Sequence, residues 1–186
     1  MMRMVRGGTA ALGALLLLAA ADAPPEPAGF RMDDYRAPTP TTLHGAAILS
    51  TEAAHALWQN HDAVFIDVLP QIPRPAGLPA STIWREKPRE DVPGSIWLPD
   101  TGYGALAPVM ERYFEDGLAL ASDGDHDRTL VFYCLANCWM SWNAAKRAIT
   151  LGYTHVAWYP DGTDGWTHDH LPLEPRTPMP RPQTSE

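Results

Sequence analysis

The fold of this chain is decided by a strand–helix–strand stretch, RTLVFYCLANCWMSWNAAKRAITLGYTHVAWY, residues 128–159. The apolar run just before Cys134 is rich in branched and aromatic residues, which is typical of a buried strand. Residues 141–151 predict a helix that ends at Gly152, and residues 155–159 predict a further strand. A helix that connects two such strands indicates a parallel sheet.

The preceding part of the chain repeats this alternation of helices and strands. The pattern predicts a helix over 51–60 with Ser50 or Thr51 as its cap, and a buried strand over 63–68. A Pro-rich loop or insertion over 70–93, a short strand within 93–99 and a helix over 105–120 follow. We therefore expect an α/β fold, a single domain whose parallel sheet is flanked by helices on both faces. In such sheets functional residues lie at the carboxyl ends of the strands.

The two ends of the chain differ from this central domain. Arg3 and Arg6 precede an apolar run over 9–21, and the small residues around Asp22 fit a cleavage site. This pattern predicts a signal peptide over 1–23, with an uncleaved N-terminal anchor as the alternative. We expect a Pro-rich leader over 24–45, the domain over 46–170 and a flexible Pro-rich tail over 171–186. The protein would then be periplasmic, without stable membrane association after cleavage.

The composition excludes several kinds of partner. The formal net charge is −8, which disfavours binding to nucleic acid or to anionic lipid. Two cysteines without further ligands at suitable spacing do not predict a structural zinc site. We expect no metal and no cofactor.

Cys134 and Cys138 are the only cysteines of the chain. Cys134 follows a strand at the mouth of a helix, where backbone N–H groups favour negative charge, so we expect a lowered thiol pKa. Cys138 is close enough in sequence to react with it. Three hypotheses remain: Cys138 resolves a sulfur-loaded Cys134, the pair exchanges thiol and disulfide with an exported partner, or the pair is a structural disulfide.

Several motifs together resemble the rhodanese-like domain family: FIDV at 65–68, VPGSIWLP at 92–99, the cysteine loop followed by SWNAA, and GYTHVAWYPDGTDGW at 152–166. The resemblance covers residues 51–166. The Cys138–Trp139 pair and WYPDGTDGW also resemble a narrower exported family, the PQQ-dependent catabolism-associated CXXCW motif proteins. This likeness implies a single rhodanese-like domain, sulfur or thiol chemistry, and a periplasmic PQQ dehydrogenase or cytochrome as a partner.

The resemblance assigns Cys134 as the nucleophile that accepts sulfane sulfur. Cys138 departs from the family pattern, and we expect it to be a second catalytic residue that resolves Cys134. Backbone N–H groups of the loop would hold the substrate anion, and the substrate-binding residues would be Leu135, Ala136, Asn137, Trp139, Met140 and Ser141. Asp67 would have a structural role. The alternative function is a non-catalytic accessory protein that docks on a dehydrogenase or cytochrome and carries a Cys134–Cys138 disulfide.

One departure from the family pattern concerns charge. The family usually places an arginine in the cysteine loop, but CLANCWM has no cation, which disfavours thiosulfate and phosphate as substrates. The candidates to supply the cation lie in the insertion: Arg74, Arg85, Lys87 and Arg89. The acidic turn with Asp161 and Asp164 is expected to face the cysteine loop.

Overall fold

The computed structural model describes residues 23–72, 74–75, 77–79, 81–85 and 88–181. The predicted signal peptide, apart from Ala23, lies outside these residues. Within the described part of the chain, no helix combines the length and the apolar character needed to span a membrane.

The described residues form seven strands and four helices. They are β1 (Ala46–Ile48), α1 (Thr51–Asn60), β2 (Val64–Asp67), β3 (Arg89–Asp91), β4 (Ile96–Trp97), α2 (Pro108–Ser122), β5 (Leu130–Tyr133), α3 (Trp139–Thr150), β6 (Val156–Trp158), α4 (Gly162–His168) and β7 (Glu174–Arg176). Five strands form a parallel sheet in the order β1-β6-β5-β2-β4, and β3 pairs with β7 in a small antiparallel sheet.

Helices cover both faces of the five-stranded sheet because its strands are apolar on both sides. Leu130 and Phe132 pack with α2 and α3, whereas Val131 and Tyr133 pack with α1 and α4. Alternate residues of one strand point to opposite faces, so each face has its own core. The predicted α/β fold with a parallel sheet flanked by helices is confirmed.

Helix bounds follow local capping chemistry. Helix α1 spans the predicted residues, and Ser50 rather than Thr51 is its cap, because its hydroxyl accepts a hydrogen bond from Ala53 N–H at 3.2 Å. Helix α2 begins at Pro108, later than expected, since proline suits the first turn of a helix. Helix α3 begins at Trp139, two residues earlier than expected, which makes Cys138 its N-cap residue.

The segment predicted as an acidic turn contains a short helix, α4, so the turn prediction is corrected there. Trp166 on this helix is fully buried against Phe65 and Tyr159, and this packing stabilises the extra helical turns.

The C-terminal segment packs on the domain where a flexible tail is expected. Strand β7 pairs with β3, and Tyr113 Oη donates a hydrogen bond to the Met179 carbonyl at 2.7 Å. Met179 N–H in turn donates to the Trp97 carbonyl at 2.9 Å. An edge strand tolerates Pro175, which explains why a Pro-rich segment forms a strand here.

The Pro-rich leader lies across the first turns of α3. Asn143 holds the backbone of Arg31 with two hydrogen bonds of 2.9 Å, one from Arg31 N–H and one to Arg31 C=O. The Trp139 indole N–H donates to the Pro38 carbonyl at 3.1 Å, and the Trp142 indole N–H donates similarly further along the leader. The leader therefore covers the end of the domain at which the cysteine loop lies.

Candidate functional site

The cysteine loop connects the carboxyl end of β5 to the start of α3, where the sequence places it. The two sulfurs do not form a disulfide, and Cys134 and Cys138 are buried, with 0% and 2% of their surface exposed. Asn137 has a φ of +52°, a conformation that asparagine tolerates better than most residues, and this turn curls the loop. The curl brings the two thiols within hydrogen-bonding distance of each other.

Cys134 is buried, and its sulfur has three oxygen atoms within reach: Ser141 Oγ at 3.3 Å, the Cys138 carbonyl at 3.6 Å and the Leu135 carbonyl at 3.7 Å. Ser141 Oγ also accepts a hydrogen bond from the Trp158 indole N–H at 3.0 Å. Burial, followed by the hydrogen bond and charge of Cys138, raises the pKa of Cys134 well above its ordinary value. The predicted lowering of the Cys134 pKa is therefore wrong, because burial outweighs the helix mouth.

Cys138 has the opposite environment. The groups that favour its thiolate form are the Cys134 thiol, the N–H groups of Met140 and Leu135, and the Arg36 guanidinium. These donors, led by the Cys134 thiol, outweigh burial and lower the pKa of Cys138 to about 6. At neutral pH the loop therefore holds a thiolate on Cys138 and a thiol on Cys134.

The cation beside the thiolate comes from the leader, and sequence reasoning missed it. Arg36 is exposed, and its guanidinium is one of the groups that lower the pKa of Cys138. The four basic residues that the sequence offered as the cation have other surroundings than Arg36. Arg74 donates to the Pro79 carbonyl at 2.6 Å, and Arg89 pairs with Asp67. Arg85 is exposed in the insertion, and Lys87 lies outside the described residues. The sequence offered one indication of this role, because the cysteine loop has no cation and Arg36 is a basic residue of the leader.

The loop N–H groups are largely engaged by protein acceptors. Ala136 N–H donates to Asp164 Oδ2 at 3.0 Å, so the acidic segment does face the loop as expected, and Trp139 N–H donates to the Tyr35 carbonyl at 2.9 Å. With Leu135 and Met140 N–H directed at Cys138, the loop closes around its own thiolate. These four N–H groups therefore do not form a binding site for an external anion.

The predicted substrate-binding residues separate into two groups. Trp139 and Met140 are buried, and Ser141 lies behind Cys134, so these three support the loop from inside. Leu135 and Ala136 are half-buried, and Asn137 is exposed. Only the second group is partly open to solvent.

A cleft of about 530 Å³ opens beside the loop at the carboxyl ends of the sheet strands. Leu135 and Arg36, the two residues that also contact the cysteine pair, are part of its lining. Leu69 and Trp97, which follow or end neighbouring parallel strands, form another part. The cleft is therefore continuous with the residues that hold the thiolate.

A buried ion cluster supports the far side of this cleft. Arg89 Nε lies 2.5 Å from Asp67 Oδ2 and 2.9 Å from Asp91 Oδ1, and Asp67 also accepts the Leu69 N–H at 2.9 Å. Burial, and then the negative charge of Asp67, raises the pKa of Asp91 to about 9. At neutral pH Asp91 is therefore protonated, and Arg89 Nε makes its shorter contact with Asp67.

Comparisons with known proteins concern this same domain. A family model described as the rhodanese-like domain matches residues 50–169. No curated protein sequence matches the chain. Arg36 lies in the leader and so outside the residues that the family model matches.

Three similar solved structures illustrate the range of the likenesses. An uncharacterized protein from Saccharomyces cerevisiae is 24% identical over 67% of this chain and 92% of its own, with a TM-score of 0.42. The polysulfide-sulfur transferase homodimer from Wolinella succinogenes is 19% identical over 72% and 81%, with a TM-score of 0.45. A structure of EanB with a cysteine persulfide and ergothioneine is 23% identical over 72% and 32%, with a TM-score of 0.46.

Proposed function

Since this chain belongs to the rhodanese-like domain family, we propose that it transfers sulfane sulfur, coupled to thiol–disulfide exchange, at the Cys134–Cys138 pair. The observation that carries the proposal is the curled loop that places two cysteines without a disulfide together between β5 and α3. In this loop the Cys134 thiol is the largest of the influences that lower the pKa of Cys138 to about 6, while burial raises the pKa of Cys134. A thiolate is the nucleophile in sulfur exchange, and an adjacent thiol is a resolving group.

The first step forms a persulfide on Cys138. The thiolate attacks the outer sulfur of a sulfane-sulfur donor, the bond between that sulfur and the rest of the donor breaks, and the leaving group takes the electron pair. The negative charge remains at the site, now on the outer sulfur, where Arg36 can offset it.

The second step involves Cys134. Its sulfur attacks the Cys138 sulfur and the persulfide bond breaks, so a disulfide closes and the outer sulfur leaves with the electron pair and the Cys134 proton as hydrosulfide. An external dithiol then reduces the disulfide. Transfer of the outer sulfur to an acceptor thiolate instead restores the Cys138 thiolate directly. This assignment reverses the order that the resemblance implies, in which Cys134 acts first.

Intact-mass measurement tests the proposal directly. The reduced protein is exposed to a sulfane-sulfur donor, and the modified residue is mapped. We expect Cys134→Ser to retain one added sulfur on Cys138, wild type to pass on to the internal disulfide, and Cys138→Ser to gain none. A persulfide on Cys134 in Cys138→Ser would restore the order implied by the resemblance.

The non-catalytic accessory role is the second candidate, and the near-complete burial of both sulfurs favours it. In that case the pair would be a structural disulfide. A disulfide that resists mild reduction, together with a thiol form that never gains sulfur, would decide for this role.

We also propose export to the periplasm and a role beside PQQ-dependent alcohol oxidation, with a quinoprotein dehydrogenase or cytochrome as partner. Export is supported by the basic and apolar pattern that ends at Ala23. The PQQ association is supported by the sequence resemblance around Cys138–Trp139. N-terminal sequencing of the protein from a periplasmic fraction tests export, and a mature chain that begins at Met1 would contradict it.

A further inference from the structure

The cysteine pair is closed off from solvent, although an external molecule must reach a sulfur for any thiol chemistry to occur. Cys134 is fully buried and Cys138 is 2% exposed. A covered nucleophile reacts with an external molecule only after part of the structure opens, and such openings involve segments with few buried contacts. Reaction at this pair therefore requires a movable cover.

Leader residues 32–38 lie against the start of α3, beside the cysteine pair. Tyr35 and Ala37 pack against the core cluster that contains both cysteines. The Tyr35 carbonyl accepts the backbone N–H of Trp139, the residue that follows Cys138, at 2.9 Å. This segment is therefore the part of the leader that covers the cysteine loop.

The segment is fixed at both ends and weakly held between them. Asn143 bonds the Arg31 backbone just before it, and Pro40 just after it is buried. Between these two anchors, five of the seven residues are exposed. Asp34 also has a φ of +43°, a left-handed conformation that costs free energy in a residue with a Cβ atom. An exposed and strained segment between fixed anchors can open without loss of the fold.

Trp139 holds the segment at two points. Besides its backbone bond to Tyr35, its indole N–H donates to the Pro38 carbonyl at 3.1 Å. These two bonds lie on either side of Arg36, so Trp139 fixes the chain before and after this arginine. The ring is 2% exposed, and the surrounding core therefore sets its position.

We propose that residues 32–38 form a lid over the cysteine pair, that Trp139 is the positioning residue that holds the lid closed, and that the pair reacts only when the lid opens. The proposal rests on the proposed function for the reaction but not for the movement. Opening breaks the bonds of Trp139 to Tyr35 and Pro38, while the anchors at Arg31 and Pro40 remain. Arg36 moves with the lid, so closure returns its charge to the loop.

Alkylation by iodoacetamide measures access without sulfur transfer. The measurement uses the full chain with Cys134→Ser, in which Cys138 is the only cysteine. At about pH 8 Cys138 stays mostly thiolate even if its pKa rises to about 7, so the rate reports access rather than ionisation.

A matched pair of substitutions tests the role of Trp139. Trp139→Phe deletes the indole donor to the lid, and Trp142→Phe deletes a similar donor that meets the Thr42 carbonyl at 3.0 Å, beyond the lid. Both rings are buried. We expect Trp139→Phe to raise the alkylation rate at least about threefold, the effect that loss of one hydrogen bond has on an opening equilibrium, and Trp142→Phe to leave it unchanged. Equal effects of the two variants would overturn the proposal.

A second variant opens the lid without a change in α3. Tyr35→Ala removes a ring that packs edge-on against Tyr103 and a hydroxyl that accepts the Gly104 N–H at 3.1 Å. We expect this variant to raise the alkylation rate at least about tenfold. Tyr153→Ala, which deletes a more buried tyrosine stacked on His126, controls for general loosening. A rate that rises no more in Tyr35→Ala than in Tyr153→Ala would overturn the proposal.

Low urea concentrations distinguish lid opening from unfolding. Opening of seven residues exposes little surface, so the alkylation rate with an unaltered lid should change little with urea, whereas access through global unfolding would rise steeply. A steep rise would overturn the proposal.

Sulfur loading of the chain with both cysteines, with inorganic polysulfide as the probe, separates the lid from the function itself. We expect Tyr35→Ala to gain sulfur faster than wild type. If neither protein gains sulfur while alkylation still differs between them, the sulfur-transfer function fails and the lid stands. If both gain sulfur at one rate and alkylation is also equal, the function stands and the lid fails.

Discussion

The hydrogen bond from the Cys134 thiol is the largest cause of the low pKa of Cys138, and its removal gives a sharp prediction. Cys134→Ala deletes the donor and leaves Arg36 and the Met140 N–H in place. Cys134→Ser keeps a donor at the same position. The pKa of Cys138 should therefore rise in the alanine variant and stay close to the wild-type value in the serine variant.

The size of the change follows from the charge of the acceptor. A hydrogen bond to a charged group contributes about 1.5–3 kcal/mol, which corresponds to a pKa rise of about one to two units. With a wild-type pKa of about 6, roughly nine-tenths of Cys138 is thiolate at pH 7. In Cys134→Ala at the same pH the thiolate fraction should fall to about half or less.

Ultraviolet absorbance of the thiolate, followed across the pH range, measures this directly. In Cys134→Ala and Cys134→Ser the only thiolate that can form is that of Cys138. In Cys138→Ser it is that of Cys134. Cys138→Ser should show no thiolate below the ordinary range, because burial raises the pKa of Cys134. A low pKa in Cys138→Ser, or an unchanged pKa in Cys134→Ala, would refute the assignment of the thiolate to Cys138.

Two further predictions concern stability. The raised pKa of Asp91 means that the folded state keeps a proton that the unfolded state releases, so stability falls as pH rises towards about 9. Asp91→Asn should flatten this dependence in urea unfolding, whereas Asn at the exposed Asp62 should not; an unchanged slope would contradict it. Gly162→Ala should cost at least about 2 kcal/mol, because its Cβ would lie 2.3 Å from the Cys134 carbonyl at a φ of +52°. Gly124→Ala, with a φ of +75° and open space, is the control and should cost about 1 kcal/mol; equal costs would contradict the clash.

Much of the fold could be predicted because it depends on neighbouring residues. The alternation of apolar residues around Phe132 and the cap at Ser50 act within a few positions, so strand β5 and helix α1 were anticipated. The pairing of β3 with β7 joins residues far apart in sequence, with an unremarkable local pattern in each. Nothing in either segment alone specifies the other.

The cysteine site shows the same division. The sequence placed Cys134 and Cys138 together at the carboxyl end of a strand, since a short curled loop cannot separate them widely. It assigned the low pKa to the wrong sulfur, because local helix geometry was weighed without the depth of burial of Cys134.

The sequence by itself determined four strands of the parallel sheet, the helices α1, α2 and α3, and the position of the cysteine loop, because apolar periodicity and capping are local properties. Strand β1 and helix α4 were not predicted. Only the tertiary structure decided that Arg36 of the leader meets Cys138 and that the cleft forms between Leu135, Leu69 and Trp97. The physical reason is that a pKa and a cavity are properties of surroundings, and these surroundings are assembled from segments that only folding brings together.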